Sequence, residues 1–312
     1  MCRKLLIGLA VTLMLNACAS APQSAALRQQ TPESLFAPVL LSQVPFFAQE
    51  LYQCGPAALA TMLVTTGIEV TPEQLVPLVY VPEREGSFQI EMVATTRSHG
   101  RLAYKITPNL ETLLSEVAAG HPVLVLQNLS LQWYPKWHFA VVKGFDLSRR
   151  KLILNSGLVE NYEVSIATFE RTWARADYWG VLALEPGVMP AVAEPTAYFS
   201  ALAAMEITNP STVISQGYAS GLETWPTDRN LLMGYGNLLY TNKSPAAAAE
   251  QYSKVIAHHP EYAPAHNNLA NILFEMGQHE AALVHARHAV LLGGDYIENY
   301  RTTLRMINPA AL

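Results

Sequence analysis

The sequence predicts an α+β domain followed by an all-α domain. Residues 40–185 mix helix and strand patterns, whereas everything from Pro195 onward is typical of helices. Between them, residues 186–195 (PGVMPAVAEP) are rich in proline and alanine, which is typical of a linker. A period of 34 residues runs through the helical part. These observations divide the 312 residues into two domains, the number that the length favours.

The composition is that of a folded, core-forming protein. Half of the residues are apolar and 14% are charged. Acidic residues exceed basic ones by only 25 to 20, and Lys and Arg form no stripe, so we expect no nucleic-acid partner. The one long apolar stretch, residues 5–15, is too short to span a membrane, so we expect no integral membrane fold.

Residues 1–17 are typical of a signal peptide. Arg3 and Lys4 precede an apolar stretch of 11 residues, and small residues follow it. The end of this segment, Leu-Asn-Ala-Cys, resembles a bacterial lipobox, which implies a lipid on Cys18 and an anchor in the membrane. Ala19 after it implies the outer membrane, facing the periplasm. An ordinary signal peptide with an incidental cysteine is the alternative, and residues 18–43 are predicted to form a tether.

Cys54 would then be the only free thiol of the mature chain, since Cys2 leaves with the signal peptide and Cys18 carries lipid. Gly55 and Pro56 after it favour a sharp turn into a helix. A helix N-terminus stabilises a thiolate, the reactive form of cysteine. Gln49 would place its amide beside the thiol and, with the Cys54 N–H, form an oxyanion hole. A buried, inert cysteine that heads a core helix is the alternative.

A thiolate nucleophile needs a base, and three histidines outside the helical repeats are candidates. His99 and His121 lie in segments typical of loops. His138 opens the apolar run 139–145, which predicts a central strand. A rigid strand would hold the imidazole firmly, so His138 is the predicted base and His121 the second choice.

Asn155 is the candidate for orienting the imidazole. Asp146 lies eight residues along the strand from His138, roughly 26 Å, which is too far. A four-residue loop between the strands would set His138 opposite Asn155, within reach of a hydrogen bond. A later turn, with Asp146 opposite Lys151, would put Asn155 opposite Val142 and too far away.

Together these residues resemble the papain-like cysteine peptidases, and most of all the bacteriocin-processing peptidases that remove double-glycine leader peptides. The resemblance covers about residues 44–184 and implies an α+β papain-like domain, residues 44–185. Such families often have Asp-Pro where this chain has Asn155-Ser156. The resemblance implies Cys54 as nucleophile, Gln49 as oxyanion donor, His138 as base and Asn155 as orienting residue.

The last third of the chain resembles tetratricopeptide repeats. The 34-residue period gives units that begin at Pro195, Arg229 and Ala263, of which the first is degenerate. Residues 195–312 are therefore predicted to be all-α, with residues 295–307 as a cap helix and residues 186–194 as the linker before them. Stacked helix pairs form a concave surface, which implies a protein partner.

Six of the nine histidines lie in these repeats. His285 and His288 are three residues apart, a spacing that can serve a metal site. No Cys, Asp or Glu completes a set at ligand spacing, so we expect solvated helix faces, no metal and no cofactor.

These features predict a lipid-anchored cysteine peptidase of the cell envelope that cleaves a peptide or amide bond through a thioester. The repeats would recruit a protein partner or substrate. An amidase or acyltransferase would use the same residues. The alternative is a non-catalytic scaffold lipoprotein whose papain-like domain is a binding module. The aromatic residues of segment 131–137 would either line a substrate groove or cap the core.

Overall fold

The computed structural model describes residues 21–49 and 53–310. Contacts divide the chain into two units: one extends to Glu185 and includes Pro190–Val192, and the other comprises Pro186–Met189 and Ala193–Leu312. The first unit is α+β and the second is helical, so the predicted fold class is confirmed. Cys18 and the predicted signal peptide lie outside the described residues. None of the helices within the described ranges has the length and apolar character needed to cross a bilayer.

The first unit is built on one antiparallel sheet and a separate two-stranded ribbon. Its helices are α1 Pro22–Gln29, α2 Cys54–Thr65, α3 Pro72–Val79, α4 Gln89–Ser98, α5 Leu110–Ala118 and α6 Ile166–Ala174. Its strands are β1 Val39–Leu40, β2 Tyr80–Val81, β3 Gly86–Ser87, β4 Leu102–Lys105, β5 Val123–Asn128, β6 Trp137–Asp146, β7 Lys151–Ser156, β8 Val159–Ser165 and β9 Gly180–Leu184. The order in the sheet is β4-β9-β5-β6-β7-β8, with β1 paired to the end of β6, and β2 pairs with β3 in the ribbon.

The core surrounds β5 and β6. Both strands are mostly apolar, and all six residues of β5 and eight of the ten residues of β6 are buried, as expected for strands covered on both faces. Helices α2 and α5 pack on β6. Strand β8 forms an edge, and its exposed residues include Glu160 and Glu163. Strand β6 is therefore the rigid centre on which the candidate site is built.

The predicted tether is folded onto the domain where the structure describes it, from residue 21 to residue 43. Helix α1 buries Ser24 and Leu27. The buried Glu170 carboxylate accepts hydrogen bonds from the N–H groups of Gln23, at 2.9 Å, and Ser24, at 2.6 Å, and from the Ser24 hydroxyl. The prediction of a free tether is wrong here, because a buried charge far along the chain binds the start of the helix.

A second buried glutamate holds the end of the first unit. Glu116 is fully buried and accepts the N–H groups of Ala191, at 3.0 Å, and Val192, at 2.9 Å. The His121 ring nitrogen Nδ1 lies 2.9 Å from the same carboxylate. Residues 191 and 192 of the predicted linker are therefore fixed to the first unit rather than free.

In the second unit, helices begin at Pro195, Arg229 and Ala263, where the 34-residue period places the starts of the repeats. In the degenerate first repeat, Tyr198 and Tyr218 are fully buried, so large side chains fill its core. The helices are α7 Pro195–Ala203, α8 Ser211–Thr224, α9 Arg229–Thr241, α10 Pro245–His258, α11 Ala263–Glu275, α12 His279–Leu292 and α13 Ile297–Ile307.

Three of the repeat histidines form a cluster. His266 is only 5% exposed, its Nδ1 lies 3.1 Å from Nδ1 of His285, and its Nε2 donates to the Pro260 carbonyl at 2.9 Å. The His288 ring packs against His266, with ring centres 4.4 Å apart and ring planes tilted by 39°. The predicted solvated face is therefore wrong for His266. Within the described ranges, no set of three metal-ligating side chains is arranged to hold a metal ion.

Candidate active site

Cys54 is the first residue of α2, as the Cys-Gly-Pro turn predicted. Gly55 is required there, because a Cβ atom at this position would lie 2.1 Å from the Ser87 hydroxyl. The backbone N–H groups of Phe139, Gly55 and Cys54 itself hydrogen-bond to the thiol. The sulfur therefore lies in a pocket of backbone donors that can stabilise negative charge.

Burial nevertheless raises the pKa of the Cys54 thiol, because desolvation of the charged form outweighs the three backbone hydrogen bonds. The N–H groups of Cys54 and Gly55 at the start of the helix do favour the thiolate, as predicted, but the prediction left out the larger, opposite effect of burial. The resting form is the neutral thiol.

His138 lies near the start of β6 and is 8% exposed. Burial, and secondarily the positive charge of Lys136, lower the pKa of its imidazole to about 4. Its Nε2 lies 2.9 Å from the Ser156 hydroxyl oxygen. The imidazole is therefore neutral near neutral pH and free to accept a proton, as a general base must be.

The other two candidate bases are engaged elsewhere. His99 caps the end of α4, and its Nδ1 lies 2.8 Å from the Thr95 carbonyl. His121 contacts Glu116, which holds the linker segment. Of the three candidates, His138 is the one that lines a cavity together with Cys54.

Asn155 does not face His138, so the predicted register is wrong. The turn pairs Asp146 with Lys151, and a bulge between Val142 and Gly144 then sets Asn155 opposite Val141. Side chains alternate along a strand, so Val141 and its partner point away from the face of His138. The Asn155 amide instead donates to the Pro45 carbonyl at 2.8 Å. Ser156 takes the contact with the imidazole that was assigned to Asn155.

Gln49 lies at the same cavity as Cys54 and His138. Its backbone N–H donates to the Gly157 carbonyl at 3.2 Å, which fixes it beside the end of β7. The cavity has a volume of about 790 Å³. Apart from these three residues, its wall combines apolar and charged side chains, among them Phe88, Trp137, Arg84, Lys136 and Asp177.

The aromatic segment before His138 does not cap the core. Trp133 is 80% exposed and Tyr134 is 71% exposed. Trp137, half exposed, lines the cavity. Trp137 therefore fits the groove alternative, while the exposure of Trp133 and Tyr134 argues against the capping alternative.

The comparisons with known proteins agree with the two-domain architecture. Residues 41–181 match the model of the Peptidase_C39 like family, and residues 239–305 match that of a tetratricopeptide repeat. The chain thus combines a Peptidase_C39-like domain with tetratricopeptide repeats, as its sequence resemblances predicted. No curated protein matches it.

Three similar solved structures each cover less than half of this chain. One, described as a C39-like peptidase from Bacillus anthracis, is 20% identical, with a TM-score of 0.41, and covers 47% of this chain and 98% of its own. The first TPR of Spaghetti (RPAP3), bound to the HSP90 peptide SRMEEVD, is 16% identical, with a TM-score of 0.35 and coverage of 37% and 91%. MamA is 19% identical, with a TM-score of 0.34 and coverage of 37% and 63%.

Sequence reasoning missed Ser156. The alternation of side chains along β7 is the signal that could have found it. Because Asn155 and Ser156 are adjacent, only one of them can lie on the sheet face of His138. Which of the two does so depends on the bulge in β6, and the sequence alone offered no sign of that bulge.

Proposed function

We propose that the Peptidase_C39-like domain is a cysteine peptidase that cleaves a peptide or amide bond through a thioester on Cys54. The observation that carries this proposal is the cavity itself. Cys54, at a helix N-terminus with three backbone donors on its sulfur, shares it with a neutral, buried His138. Nucleophile, base and anion-stabilising groups are the parts that thioester chemistry requires.

In the first step, the Cys54 sulfur attacks the substrate carbonyl carbon while His138 takes the thiol proton. The carbonyl oxygen becomes an oxyanion, which the Cys54 N–H and the Gln49 side chain stabilise. The intermediate then expels the amine, which receives the proton from His138, and leaves an acyl thioester. Water, deprotonated by His138, attacks the thioester and releases the acid and the thiol. Because burial disfavours a resting pair of Cys54 thiolate and His138 imidazolium, the thiol proton passes to His138 only as the oxyanion forms.

The test is cleavage of a mixed peptide library, read as new termini by mass spectrometry. We expect the full chain to generate new termini, and Cys54→Ala and His138→Ala to lose at least a thousandfold in rate. His99→Ala is the matched control and should keep the activity, because the His99 imidazole hydrogen-bonds to Thr95 of its own helix and does not line the cavity. Equal cleavage by Cys54→Ala would contradict the proposal, and binding without cleavage would favour the binding-module alternative.

The pH dependence tests the assignment of the base. His138 must be neutral to accept the thiol proton, and its pKa is about 4. We therefore expect kcat/KM to hold as the pH falls from 7 to 5 and to decline only near pH 4. A decline centred near pH 6.5, the ordinary value for histidine, would show that another group limits the reaction.

We further propose that Cys18 carries lipid that anchors the protein in the outer membrane, facing the periplasm, and that the repeats recruit a protein partner or the substrate. The lipobox-like sequence and the tetratricopeptide match support these two statements. In cells, the wild-type protein should partition into detergent, and Cys18→Ala should release it. Deletion of residues 195–312 should weaken partner capture while leaving Cys54 alkylation unchanged.

A further inference from the structure

We infer that the end of β7 positions two catalytic groups through adjacent side chains: Ser156 orients His138, and Asn155 holds the segment that carries Gln49. This inference rests on the proposed function for its catalytic meaning. The contacts behind it can be tested without any activity.

The first half concerns the imidazole. Continuing the observed register past Asn155 sets Ser156 opposite Ala140, two residues from His138 on the same sheet face. Its hydroxyl oxygen lies 2.9 Å from Nε2 of His138. When the Nε2–H donates to this oxygen, Nδ1 keeps the lone pair that accepts the thiol proton. A hydroxyl accepts this bond without adding a negative charge, which agrees with the lowered pKa of His138.

The second half concerns the segment before Gln49. The Asn155 amide donates to the Pro45 carbonyl at 2.8 Å, and the buried Lys143 ammonium donates to the preceding carbonyl, that of Val44, at 3.1 Å. The Gln49 N–H donates to Gly157 at 3.2 Å. Side chains of β6 and β7 therefore fix consecutive carbonyls of the segment that ends at Gln49.

The bulge at Lys143 makes both arrangements possible. It shifts the pairing of β6 with β7 by one residue, so that Ser156 rather than Asn155 shares the face of His138. The next residue is Gly144, where a Cβ atom would lie 2.6 Å from the Val39 carbonyl oxygen. Without a side chain at this position, β1 can lie directly against β6, and the segment that leads to Gln49 starts there.

The experiment is a crossed comparison of Ser156→Ala and Asn155→Ala in the full chain, by NMR. The His138 Nε2–H signal, observed with ¹⁵N-labelled histidine, reports on the first contact. Hydrogen exchange of the Gln49 amide reports on the second. We expect Ser156→Ala to speed exchange of the imidazole proton at least tenfold and to leave the Gln49 amide unchanged. Asn155→Ala should do the reverse, and Ser156→Thr, which keeps the hydroxyl, should restore the imidazole signal.

The inference would be overturned if Asn155→Ala speeds exchange of the His138 imidazole proton, or if Ser156→Ala leaves that exchange unchanged. So would a Gln49 amide that is unaffected by Asn155→Ala. A circular dichroism spectrum equal to that of the wild type is required of each variant, and Asn155→Leu, which is similar in volume but has no donor for the Pro45 carbonyl, replaces any Asn155→Ala protein that fails to fold. If each substitution affects only its expected signal but the wild-type chain does not cleave peptides, the proposed function fails while the assignment of contacts stands.

Discussion

The two units of the chain differ in how far apart in the sequence the partners of their polar contacts lie. In the α+β unit, Ser24 and Glu170 are 146 residues apart, and Asn155 and Pro45 are 110 apart. In the repeats, the partly buried contact between His266 and His285 spans 19 residues. The difference shows that each repeat is stabilised by contacts within itself and with its neighbour. The sheet unit, in contrast, is stabilised by contacts between residues far apart in the sequence, which no local sequence pattern predicts.

The largest expected effect comes from the longest of these contacts. Glu170→Ala removes the acceptor of two backbone N–H groups and a hydroxyl, so we expect it to lower the free energy of unfolding of the α+β unit by about 4 kcal/mol. Urea unfolding and hydrogen exchange in α1 would measure it. The control is Glu163→Ala, in an exposed pair with Arg149, which should cost under about 1 kcal/mol. Equal effects of the two substitutions would remove the contrast between buried and exposed carboxylates.

A smaller, strictly local effect is expected in the repeats. Leu304 of α13 packs on Ala270 and Ala286 of the last repeat, and Leu304→Ala should cost about 3 kcal/mol. Because repeats contact only their neighbours, the loss of hydrogen-exchange protection should be confined to residues 229–307. The exposed Leu291 of the same unit is the matched control, and Leu291→Ala should change little. Lost protection in β5 or β6 would show that the two units do not behave as the comparison implies.

The smallest expected effect is a pH dependence of the repeats. Burial, and then the charges of neighbouring histidines, lower the pKa values of His266 and His285. A histidine whose pKa is lowered by folding stabilises the fold while neutral, so this contribution is complete above about pH 6.5 and is lost as the pH falls. His285→Asn should therefore reduce the drop in Tm between pH 7 and pH 5.

The control for this measurement is His258→Gln, an exposed histidine in the same unit. It should leave the drop in Tm as it is in the wild-type protein. If both variants behave alike, the His266–His285 contact is not what makes the repeats sensitive to acid.

Much of the architecture could be predicted because it depends on local patterns. The helix starts at Pro195, Arg229 and Ala263 follow from one period, and Cys54 at the head of α2 follows from the Gly-Pro turn after it. The position of His138 follows from the apolar run it opens. The charge states of Cys54 and His138 could not be predicted, because burial by distant segments, rather than the helix end, sets both pKa values.

The sequence by itself determined the two fold classes, the repeat period, the position of Cys54 at the start of a helix and that of His138 in a strand, since each follows from a pattern of neighbouring residues. The tertiary structure alone decided which polar residue reaches that histidine. One bulged residue, Lys143, shifts β7 by one position, and a shift of one position moves every side chain to the other face of the sheet. Ser156 therefore contacts His138, and Asn155 holds Pro45. The docking of α1 on Glu170 was decided in the same way, because a buried carboxylate selects its backbone partners by position in space, not in sequence.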